Sequence, residues 1–109
     1  MGIILMNDTS RRVIADINEL GNKKNKLDRA RANLSEYLAH PNHHTNSFQS
    51  LAEIKRQLVW DIDDAEVALS RLTVDLTAKY NDPAFRKLLL HLKMLDPNAY
   101  YWDKLKQFI

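Results

Sequence analysis

Cysteine is absent from the 109 residues, glycine occurs only at Gly2 and Gly21, and proline only at Pro41, Pro83 and Pro97. Without cysteine there is no disulfide framework, no thiolate metal site and no thiol nucleophile, and the chain suits a reducing compartment. So few turn-forming residues argue against a sheet protein, whose short strands each need a turn, and favour a few long elements. No apolar run approaches the roughly 18–20 residues of a membrane span. The opening Met1 to Met6 is apolar but carries neither the basic flank nor the cleavage site of a signal peptide, so a cytoplasmic location is expected. Charge of one sign is lacking as well. The 16 basic and 14 acidic residues leave a net charge of +2, too small a bias to announce a nucleic-acid binder by itself.

Catalytic signatures are missing in the same way. There is no glycine-rich phosphate loop, no HExxH, no nucleophile elbow and no dinucleotide fingerprint. A slender helical protein also offers little concavity for a small-molecule substrate. The expectation is a non-enzymatic protein with no cofactor, no membrane partner and no small-molecule substrate.

What the chain does contain is helical period. Asp8-Thr9-Ser10 offers N-cap candidates. Val13, Leu20, Leu27 and Leu34 then recur every seven residues. Ile17, Lys24, Arg31 and Leu38 interleave with them to complete a coiled-coil seam. Gly21 inside this run marks a weak point or a close approach. The helix should stop before His40-Pro41, because the residue preceding proline disfavours helical angles. A polar connection from His40 to Ser47 follows, and Ser50-Leu51-Ala52-Glu53 reads as a capping box, with Ser47 as a cap one turn earlier. A second seam runs through Leu51, Leu58, Ile62, Ala65, Leu69, Leu72 and Leu76 and should end near Tyr80-Asn81. Two long helices joined by a short loop favour antiparallel neighbours.

Asp82-Pro83 and Asp96-Pro97 each pair a cap with a proline at a first helical position. The first should open a helix with Phe85, Leu88, Leu89, Leu92 and Leu95 on one face. The second should open a short helix carrying Tyr101, Trp102, Leu105, Phe108 and Ile109. The expected fold is therefore all-α and a single domain over residues 1–109. A long antiparallel, coiled-coil-like hairpin covers 8–80, with two shorter C-terminal helices over 81–109, and a dimer would make a four-helix bundle.

Lys24 and Arg31 sit on seam positions, which requires their heads to reach acidic neighbours. Pairing Leu38 with Leu51 places Arg31 near Leu58, Lys24 near Ala65 and Val13 near Leu76. The cluster Asp61, Asp63, Asp64 and Glu66 then faces the middle of the first helix, with Asp61 and Glu66 as partners. The same cluster would suit a divalent metal, although salt-bridged carboxylates are the commoner arrangement. His40, His43 and His44 could form a weak metal or pH-sensitive loop site, while loop residues without a role are more usual. His91, between leucines, reads as a boundary residue.

A second apolar row, Trp60, Val67 and Val74, runs along the second helix opposite its seam. One reading has the C-terminal helices cover it with Phe85, Leu88, Leu92 and Trp102. The other makes it an interface for a partner protein or a second copy, where aromatic anchors dominate binding. Trp102 and Phe108 are the next candidates for that contact. The alternative function is nucleic-acid binding by Lys23, Lys24, Lys26, Arg29 and Arg31, joined by Lys104 and Lys106 beside Tyr100, Tyr101 and Trp102.

Overall fold

The computed structural model describes the backbone of residues 2–40 and 50–109, with side chains from residue 8 onward, and every regular element in those spans is a helix. Helix α1 covers Gly2–Ala39, α2 Leu51–Tyr80, α3 Pro83–Leu95 and α4 Tyr101–Leu105. The long helices pack against each other as a hairpin, as the two seams require. Histidines 43 and 44, and the Ser47 cap, lie outside the described residues.

Most helix ends follow the sequence signals. Helix α1 stops at Ala39, ahead of the proline. Ser50 Oγ accepts the Glu53 N–H at 3.2 Å, satisfying one of the orphan donors at the start of α2. Asp82 Oδ2 accepts the Phe85 N–H at 3.0 Å, with Pro83 in the first turn of α3. Two expected caps are not used. Asp8, Thr9 and Ser10 lie inside α1, which begins at Gly2, because the apolar segment before them continues the helix. Asp96 ends α3 instead of opening α4: its N–H bonds the Leu92 carbonyl, and α4 starts five residues later without a side-chain cap.

The chain resolves into two compact units. The first comprises residues 1–21 and 72–109, and its core draws on all four helices. Thr9, Val13, Ile17 and Leu20 are buried from α1, Leu76 and Tyr80 from α2, and Phe85, Leu89 and Leu92 from α3. Tyr101, Trp102, Leu105 and Phe108 close it. Tyr80 is its centre. The fully buried ring meets Phe85 edge-on at 5.1 Å and stacks on Phe108 at 5.7 Å. Its hydroxyl donates to Asp16 Oδ2 at 2.8 Å, and Lys79 Nζ reaches the same oxygen at 2.8 Å. The end of α2 is sealed by side chains: Arg86 Nε donates to the Tyr80 carbonyl, and Asn81 Nδ2 donates to the carbonyls of Thr77 and Phe108. Leu95 and Ile109, expected on inner faces, are exposed.

The described residues of the second unit, 22–71, lie in or next to α1 and α2. Leu27, Ala30 and Tyr37 of α1 and Ala65 of α2 are buried, while Leu34, Leu58, Ile62 and Leu69 are half-buried. Tyr37 Oη donates to the Leu51 carbonyl at 2.7 Å beside the connection. The seam in α1 departs from the strict heptad. Lys24, Arg31 and Leu38 are exposed, and Ala30 and Tyr37 take the inner positions instead. At each step the helix offers either i+3 or i+4 to the partner. Turning Ala30 inward avoids the cost of desolvating a guanidinium. Arg31 meets the acidic side of α2 through Glu66 at 3.3 Å, one of the two expected partners, and both side chains remain about half exposed. Asp61 accepts instead from Gln57 of its own helix.

Two outcomes follow. A Cβ built at Gly21 meets nothing within 4 Å, so no close approach requires the glycine. Gly21→Ala should raise stability by about 0.5–1 kcal/mol, read as a higher denaturant midpoint. The Tyr80 phenol is held well above its ordinary value of 10.0 by burial first, then by its hydrogen bond to Asp16 and the charge there. A raised folded-state pKa means that this contribution is complete below pH 10 and is lost as pH rises further. Tyr80→Phe keeps the ring contacts but removes the donor, and should cost about 1–2 kcal/mol near neutrality. Urea unfolding from about pH 8 to pH 11 should show that difference narrowing as the pH rises.

Candidate protein interface

Helix α2 carries apolar residues on two sides, one of them facing α1. Trp60, Val67 and Val74 are 56%, 49% and 67% exposed, with Val59 partly open beside them. Phe85 and Trp102, expected to cover the row, are buried within the first unit, where Tyr80 and the turn after α3 engage them. Trp60 and Val67 belong to the second unit. Val74 continues the spacing on α2 within the first. One turn beyond Trp60 stand Asp63 and Asp64, both exposed and without an ion pair among the described residues; one turn before it stands Arg56.

Trp102 and Phe108 have a different setting. They are 9% and 4% exposed, and Trp102 Nε1 donates to the Asp96 carbonyl at 2.7 Å. They hold α4 in place and leave little surface for a partner. Tyr101 beside them is buried, and its hydroxyl has no hydrogen-bond partner among the described residues. Burial raises its pKa, the Ser10 side chain opposes the rise, and the negative charge of Asp96 adds to it.

The basic residues of α1 and those of the C-terminal segment belong to different units. Lys24, Lys26 and Arg29 are exposed on α1 and Lys23 is half-exposed, while Arg31 is committed to Glu66. Lys104 is exposed, and Lys106 pairs with Asp103 at 3.2 Å. No group of three His, Asp or Glu among the described residues is placed to hold a metal ion. His40 and His91 are exposed.

An apolar surface not anticipated above lies on α3 and α4. Leu90, Met94 and Leu95 are exposed, and a groove of about 480 Å³ opens between Leu89, Leu90 and Trp102. Arg86, Lys93 and Lys106 line it, with Ile109 at one side. Lys93 Nζ stands 5.9 Å from the centre of the Trp102 ring. The sequence held a signal for it. Three consecutive leucines, 88 to 90, cannot all turn inward on a helix that advances about 100° per residue.

No protein-family model, curated protein or solved structure matches the chain. Fold and surface together define a class: an all-α helical hairpin with packed C-terminal helices and an exposed aromatic face on its second long helix. No helix among the described residues is long and apolar enough to cross a membrane.

The two tryptophans should be separable by solvent access. In dilute protein, Trp102→Phe leaves Trp60, whose emission should be red-shifted and strongly quenched by iodide. Trp60→Phe leaves Trp102, which should emit further to the blue with a several-fold shallower quenching slope.

Proposed function

We propose that the chain is a non-enzymatic, cytoplasmic protein-interaction module, an adaptor, assembly subunit or inhibitor, that binds a partner through the outer face of α2. The observation that carries this reading is the exposure of Trp60, with Val67 two turns on, along a helix whose other side is already occupied. A tryptophan offers a large, stiff apolar surface, and such residues anchor the centres of interfaces. Holding it in water on a well-formed helix is unfavourable unless a partner covers it.

Nucleic-acid binding is the second reading, favoured by the exposure of Lys24, Lys26 and Arg29 without ion pairs among the described residues. It rests on fewer free charges than the sequence offers, because Arg31 and Lys106 are paired. Binding of that kind weakens steeply with salt.

The test is capture from native lysate, with and without nuclease, using the wild-type chain and the variant Trp60→Asp with Val67→Asp. The expected result is a partner protein that survives nuclease and is lost with the variant while helicity is retained. The loss should amount to about 2 kcal/mol or more, a roughly 30-fold weaker Kd. Nucleic acid in the wild-type sample, with every protein band gone after digestion, would establish the second reading instead.

A further inference from the structure

We draw no further inference here: the strongest candidate, the apolar groove of Leu89, Leu90 and Trp102 on α3 and α4, has Arg86 engaged with the Tyr80 carbonyl and Asn81 and Lys106 with Asp103, and nothing in the structure shows what covers it.

Discussion

A carboxylate removed from most of its water costs several kcal/mol unless charge and hydrogen bonds replace what it loses. Asp16 is in that position, with its side chain 15% exposed. Lys79 supplies the charge and Tyr80 the hydroxyl donor, both to one oxygen at 2.8 Å. Because the two donors are adjacent at the end of α2, satisfying Asp16 sets that end of the helix against α1. The buried Tyr80 ring then becomes the surface on which Phe85 and Phe108 settle. Its carbonyl receives Arg86, and Asn81 next to it ties the segment after α4. The Tyr80 ring thus joins this polar contact to the aromatic packing of α3 and of the segment after α4.

Among the described residues of the second unit, the buried side chains are Leu27, Ala30, Tyr37 and Ala65. Two helices shield only the stripe between them, so leucines on the margins stay half-buried and apolar residues on the outer faces stay in water. That geometry is poor for enclosing a substrate and good for presenting side chains on a regular, stiff lattice. Trp60 has few rotatable bonds and is carried on a continuous helix, so a partner loses little entropy in ordering it. The functional reading and the thin packing of this unit have the same origin.

The main elements were legible from the sequence because caps and prolines act locally. Ser50 and Asp82 bond N–H groups three residues away, and the proline after His40 ends α1 through its immediate neighbour. Asp96 shows the limit of such signals. An aspartate before a proline can open one helix or close another, and here Trp102 claims its carbonyl from six residues on. The inner face of α1 departs from the strict heptad for a related reason. Period alone allows Arg31 or Ala30, and Leu38 or Tyr37, to face inward. The choice depends on what stands opposite and on the cost of burying a charge.

By itself, the sequence determined that the chain is helical, where most helices stop, that the long pair returns on itself, and that α2 has two apolar sides. These follow from side-chain period and short-range hydrogen bonding, which need no knowledge of the rest of the molecule. Tertiary structure decided which side of α2 is left in water and that Trp102 and Phe108 are core rather than surface. It also assembled a basic, apolar groove from residues spread between Arg86 and Ile109. Those outcomes depend on competition for a limited interior. Within the first unit, Phe85 and Phe108 pack on the buried Tyr80 ring, whose hydroxyl Asp16 holds.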